Sequence, residues 1–504
     1  MTFEPIGILT FIVGIAGLFL SPAFIVCAFF TSTLLGAAAA FNVNGAGISI
    51  PPAHVMLIFL FIRLFFPREI HQKIVQSIAF GRPGFWLVIT VLTSVVTAYF
   101  MPRLFQGEVF VFPVRAQAVG LTPLEPATSN FTQSAYFIAD AACFVILSGY
   151  AATRGGIRVL ITAGLIAACV NLAFAGLDLL TYFTGTAELL SPIRNANYSM
   201  LVETDMGGFK RIVGSFTEAS SFGGLTIGYF AFTSRLWLLG CSRRFTGFLA
   251  LLSLIAILFA TSSTGYVGLL GYLAVAYAEV LLRVISRPST KQMQLFVLIG
   301  PPLVLVVGLA IALSDSLSSS AHDLFDMFLF EKLSSQSGVE RSSWNANALQ
   351  NFIDTFGLGV GNGSGRASSF VIAALSGLGI FGMVPFTIFF FKILYGQSTA
   401  PQSSFEVAGP VAAKSMCLAW VIGATVSDPL IDLGLSFYAF AAVAGAHYST
   451  ASIQLFQQSR ETSDWHPGAI ARSLLRVLAV PSWLQNSTTL KAAPKLASGH
   501  KGWR

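Results

Sequence analysis

Charge is what this sequence lacks most. Only 10% of its 504 residues are Asp, Glu, Lys or Arg, against about a quarter in soluble domains. Meanwhile 55% belong to the apolar set, and the mean hydropathy is +0.74. With 29 cations and 22 anions the chain cannot coat a water-facing surface. That excludes a string of soluble domains and leaves a polytopic membrane protein. Cysteine is scarce as well. Cys27, Cys143, Cys169, Cys241 and Cys417 are odd in number and lie in apolar stretches without metal-ligand spacing, so neither a disulfide framework nor a metal site is expected. No basic segment precedes the first apolar run, which is therefore not read as a cleaved signal peptide. No repeat of fixed period is present. The net charge of +7 reports orientation in such a chain, because cytoplasmic loops collect Lys and Arg, and no nucleic-acid partner is expected.

What the sequence does have is apolar length. A spanning helix takes roughly 20 mostly apolar residues. Thirteen segments (give or take one) qualify, near 6–20, 23–41, 52–66, 84–101, 132–152, 157–183, 222–239, 246–262, 264–284, 294–314, 369–394, 411–426 and 432–449. The expected fold is an all-α polytopic membrane protein with about 13 (12–14) transmembrane helices, residues 1–449. A cytoplasmic tail, 450–504, follows, and 469–484 reads as an interfacial amphipathic helix with Arg472 and Arg476 beside an apolar face. Basic connectors (Arg63 to Arg82, Arg154/Arg158, Arg243/Arg244, Arg283 to Lys291) are assigned to the cytoplasm with the tail. That places 21 of the 29 cations inside and eight outside. It leaves three long outside loops, 102–131, 184–221 and 315–368, and loops of that length usually carry function.

The eight outside cations run against the topology bias: Arg103, Arg115, Arg194, Lys210, Arg211, Lys332, Arg341 and Arg366. A lone one is normally snorkelling or acid-paired, and Arg103 and Arg115 are read so. Two stretches are different. In the first, Lys210-Arg211 precedes Gly214-Ser215, then Glu218 and Ser220/Ser221 at an expected helix N-terminus facing outward. In the second, Glu340-Arg341-Ser-Ser-Trp-Asn345 opens a helix whose Leu349, Phe352, Ile353 and Phe356 follow i, i+3, i+4, i+7 spacing, an apolar face for the membrane or the bundle. Glycines then occupy alternate positions from 357 to 365, Gly361 and Gly363 among them, before Arg366 at the next outward helix start. Glycine-rich backbone can wrap its N–H groups around an anion, helix N-termini favour anions, and arginine offers phosphate a bidentate fork. The two stretches together point to a phosphate or diphosphate site; structural caps and pairing with loop acids are the plainer alternative. His322 stands without a second ligand, so no metal is expected there. Asp140, Asp178 and Glu279 lie within spans, where carboxylates are functional candidates. Asp140 is the strongest sign of a proton-coupled transporter.

Arg211-Ile-Val-Gly-Ser-Phe-Thr-Glu-Ala-Ser resembles the R-x-x-G-x-F-x-E-x-S stretch of bacterial exopolysaccharide and O-antigen polymerases (Wzy-type), of the O-antigen ligase/polymerase superfamily. The second stretch, from Glu340-Arg341 through the glycine alternation, is similar to their arginine-led periplasmic helix. The related ligases place a histidine near the end of the large loop, where this chain has none, which favours a polymerase. The resemblance implies a GT-C-like fold and location in the inner membrane. It also implies an undecaprenyl-diphosphate-linked oligosaccharide substrate, no cofactor, and a flippase and chain-length regulator as partners. On this reading Arg211, Arg341 and Glu218 are catalytic. Arg194, Lys210, Ser215, Asn345, Gly361, Gly363 and Arg366 bind diphosphate or sugar. Two roles fit Glu218: general base for the acceptor hydroxyl, or orienter of Arg211. Ligase, lipid-linked saccharide transporter or flippase, and non-catalytic assembly partner are the alternatives.

Overall fold

Proline and hydroxyl residues set where the helices begin. Pro5, Pro22, Pro52 and Pro83 each occupy a first helical position, where a missing N–H costs nothing and φ is already helical. Ser21 caps the second helix by accepting from the Phe24 N–H at 3.2 Å. The computed structural model describes residues 2–43, 48–114, 120–197, 200–202, 205–206, 209–286, 288–314, 336–395 and 405–448. These all fall within one unit, Met1–Trp465. The tail from 449, with its expected amphipathic helix, and Arg115, His322 and Lys332 lie outside the described residues.

The helices run α1 Pro5–Phe19, α2 Pro22–Ser32, α3 Pro52–Phe65, α4 Arg68–Ser77, α5 Pro83–Leu104, α6 Thr128–Ala151, α7 Gly156–Phe183 and α8 Ala219–Leu238. Then come α9 Arg243–Phe259, α10 Ser263–Ser286, α11 Lys291–Leu313, α12 Gln336–Asp354, α13 Phe370–Tyr395, α14 Phe405–Ser427 and α15 Gly434–Ala444. Each of the thirteen expected segments holds a helix. Among the described residues, seven are long and apolar enough to cross a membrane: α5, α6, α7, α10, α11, α13 and α14. The other six are shorter or more polar. At 1.5 Å per residue, the 15 residues of α1 reach about 22 Å, short of the roughly 30 Å hydrocarbon core. The 23–41 segment stops being helical at Ser32, where the Ser32 and Thr33 hydroxyls donate back to the Phe29 and Phe30 carbonyls.

Apolar side chains face outward as well as inward, as a bilayer requires: Ile12, Phe19, Leu298 and Val304 are exposed. The interior is sealed by aromatics such as Phe30, Phe232 and Tyr229 around Phe440, and by polar pairs such as Asn171 Nδ2 to Thr226 Oγ1 at 3.1 Å. α8 packs on α9 and α14, α5 on α13, and α15 on α6. Three short antiparallel sheets decorate one end of this bundle. β1 (Thr2–Phe3), β2 (Phe41–Val43) and β3 (Ile48–Ile50) form the largest; β4/β5 (Phe110–Val111, Thr122–Pro123) and β6/β7 (Asp205–Met206, Phe209–Lys210) are hairpins in the loops.

α12 forms where the spacing placed a helix, but its buried face is the small one. Ala348, Asn351 and Thr355 pack inward, while Leu349, Ile353 and Phe356 are exposed. The apolar stripe therefore faces away from the bundle.

Candidate active site

A cavity of about 790 Å³ opens where helix ends meet. The N-terminal ends of α3, α8, α10 and α15, and the segment leading into α13, reach it, as do the C-terminal ends of α2 and α14. Helix N-termini carry partial positive charge, so this crowding favours an anion. Glu218, Glu340, Arg341, Arg366, His54 and Asp428 supply the ionisable lining.

The two distant motifs do meet here. Glu218 and Arg341 line the cavity, and Arg211 lies within electrostatic reach of both, as well as of Tyr266. Burial lowers the tendency of Arg211 to hold its proton, with Glu218 opposing and Arg341 reinforcing the effect; the guanidinium Nε is enclosed without a partner. Glu218 occupies the N-cap position of α8, two and three residues before the serines expected there, and its carboxylate accepts from the Ser220 hydroxyl. Arg341 Nη1 donates to Ser427 Oγ at 3.1 Å. Arg366 is tethered by the Pro113 and Val114 carbonyls (3.0 and 3.3 Å), and its guanidinium lies 4.9 Å over the Trp344 ring. Burial also pushes its pKa down.

Other expected site residues are turned to structural work. Arg194 donates to Asp178 Oδ1 at 2.7 Å and to the Gly214 carbonyl. Lys210 stands 3.9 Å from the same Oδ1, bonds the Val202 carbonyl and lies 5.5 Å over the Tyr182 ring. Asp178 Oδ2 accepts from the N–H groups of Val213 and Gly214 at 2.8 and 3.1 Å. These residues brace the first motif from behind. Ser215 is wholly buried and donates to the Leu34 carbonyl at 2.6 Å. Asn345 Oδ1 accepts from Ser368 and Ser369 N–H at 2.7 and 3.1 Å, capping the entry to α13. Of the remaining intramembrane acids, Glu279 pairs with buried Arg235, and Asp140 is sealed with Asp432 as its neighbour.

The glycine alternation has the unusual backbone expected of it: Gly357, Gly359, Gly361 and Gly363 all have positive φ, 78 to 93°. Its surroundings differ from the expectation of an anion cradle. The run threads through the bundle, where a Cβ on Gly361 would stand 2.6 Å from the Thr97 carbonyl oxygen and one on Gly363 2.4 Å from that of Ser129. Some of its amides are spent on protein, Gly359 N–H on Thr355 Oγ1 and Val360 N–H on the Ser376 carbonyl beside the break in α13 at Gly379. Gly363→Ala should therefore cost at least ~2 kcal/mol of stability, from left-handed strain plus backbone overlap. A thermal melt equal to wild type would contradict this packing role.

His54, Asp428 and Trp344 were not singled out from sequence. The available signal was two acids, Asp428 and Asp432, in the short connector between apolar segments. Asp428 is held by its backbone, Oδ1 accepting from Leu430 N–H at 3.3 Å and its own N–H donating to the Ser368 carbonyl at 3.0 Å. Burial, with the Asp432 charge adding, pushes its carboxyl up to about 8. At neutral pH it is thus mostly uncharged, which leaves Arg341 and Arg366 facing Glu218 and Glu340 around the cavity, with Arg211 within electrostatic reach. Compared with known proteins, the chain matches no family model, no curated protein and no solved structure.

Proposed function

We propose that this protein is a membrane glycosyltransferase that polymerises polyprenyl-diphosphate-linked oligosaccharide repeat units into exopolysaccharide or O-antigen at the outer face of the inner membrane. The supporting observation is convergence: Glu218 from one stretch meets Arg341 and Arg366 from another, more than a hundred residues on, around a cavity that several helix N-termini reach, with Arg211 within electrostatic reach of Glu218 and Arg341. In this reading all thirteen apolar segments belong to a GT-C-like membrane domain, and the cavity end faces outward. That follows from the charge bias of the connectors.

A growing glycan on lipid diphosphate binds with its diphosphate among the arginines. An acceptor-sugar hydroxyl oxygen bonds to the anomeric carbon, and the bond from that carbon to the diphosphate oxygen breaks. The electron pair leaves on the lipid diphosphate, and the hydroxyl proton passes to the Glu218 carboxylate. Preorganised cations stabilise the charge that develops on the leaving group; no nucleotide takes part. The test is polymer synthesis by purified protein from lipid-linked repeat units. Ladders of repeats should form at the same rate with and without EDTA. Inhibition by the chelator would remove the metal-free mechanism, and transfer only to a lipid-core acceptor would make the enzyme a ligase. In cells, Arg211→Ala should export single units without long chains, whereas accumulation of units inside would indicate a flippase.

A further inference from the structure

We propose that Asp428 acts as a neutral carboxylic acid in this cavity, donating its hydrogen bond to the diphosphate of the bound lipid-linked glycan. The inference rests on the diphosphate-binding reading above. Asp428 lines the cavity next to Ser427, the residue that holds Arg341, and its backbone is tied to Ser368, two residues from Arg366. It therefore shares one cavity with the two arginines of the second motif, the cavity a diphosphate would enter. Among the described residues no cation forms an ion pair with it.

Burial is the main reason it holds a proton, and a crowded group of carboxyls lies behind it. The Tyr438 hydroxyl of α15, wholly buried and without a hydrogen-bond partner, is within electrostatic reach of three carboxyls: Asp140 of α6, Asp428 and Asp432. Asp140 is fully buried, among the described residues no N–H or hydroxyl bonds to it, and the Asp432 carboxyl is its neighbour. His54 of α3 adds a ring whose nitrogens are enclosed and unpartnered beside Asp432. Three crowded carboxyls cannot all ionise. Across the cavity stand Arg341 and Glu340 of α12, Glu218 of α8 and Arg366. A carboxyl kept neutral is a good donor to an oxyanion; ionised, it would repel the diphosphate.

The test measures binding of a farnesyl-diphosphate-linked sugar, a diester whose charge is constant across the range, to purified protein by calorimetry from about pH 6.5 to 9.5. Affinity should be flat at the acid end and fall roughly tenfold as Asp428 ionises near pH 8. Near that pH, binding should take up a proton, seen in buffers of different ionisation enthalpy. Asp428→Asn keeps a donor and removes the titration, so its affinity should not vary with pH. Asp432→Asn removes the neighbouring charge that adds to the effect of burial on Asp428, so the fall should move to somewhat lower pH. A misfolded variant cannot mimic that shift. A pH-independent wild type, or an Asp428→Asn profile like wild type, or an unmoved midpoint in Asp432→Asn, would each overturn the inference. If wild type failed to bind the probe at any pH, the diphosphate reading itself would fall.

Discussion

Replacing Arg341 with alanine should reduce polymer formation by about 10²–10³-fold, or about 2–4 kcal/mol of barrier, the loss seen when one donor to a developing oxyanion is removed. The fold should survive, because among the described residues the half-buried side chain is held by a single hydrogen bond, to Ser427 Oγ, and has no ionic partner to strand. Arg341→Lys keeps the charge without the planar fork and should recover only part of the rate. Arg211→Ala should produce a similar loss, since its guanidinium shares the same electrostatic neighbourhood as Glu218 and Arg341. The double variant should lose less than the product of the two single losses, as expected for residues acting on one group. Arg366→Ala should behave differently. Its bonds to two carbonyls and its stack on Trp344 make it a tether, so stability should fall along with rate. The measurement is initial rate on lipid-linked repeat units beside a thermal melt of each variant. Full-rate polymer from Arg341→Ala with a normal melt would remove the proposed site.

How much of this was readable in advance depends on whether the signal was local. Apolar length is local, and every segment long enough to attract notice holds a helix. Where a helix stops depends on competition within a few residues and on what packs above. Thus Leu34 and Ala37 to Ala40 are apolar and buried yet not helical, and the 23–41 segment shortens to α2. Out-of-place cations are also visible locally, but their partners are not. Arg194 and Lys210 look like ligand-binding residues until Asp178, 16 residues before Arg194 and facing it across the turn, takes both. The glycines were readable as backbone in left-handed geometry; that carbonyls of α5 and α6, rather than an anion, press against them is a long-range fact. His54 and Asp428 carry no periodicity at all. They become a site only when the ends of α3 and α14 converge on one cavity.

The same distinction between chemistry and bracing gives the largest expected effect on stability. Asp178→Ala should destabilise the protein by roughly 3–5 kcal/mol, because removing one partner strands the others away from water. Arg194 would lose its carboxylate partner while buried, Lys210 would lose one of its contacts, and the Val213 and Gly214 N–H groups would lose their acceptor. Asp178→Asn should be intermediate, since an amide oxygen can still serve those two N–H groups but cannot balance the cations. Adding Arg194→Met to Asp178→Ala should restore part of the loss by removing one stranded charge. Activity should fall with stability in this series, because Val213 and Gly214 lie two and three residues from Arg211 and set where its guanidinium points. Melting of purified variants, read with the polymerisation rate, separates the two roles. Arg341→Ala should lose rate at constant stability, whereas Asp178→Ala should lose both. If Asp178→Ala instead melted like wild type and made no polymer, Asp178 would belong to the chemistry, and Arg194 and Lys210 would have to be returned to the substrate site.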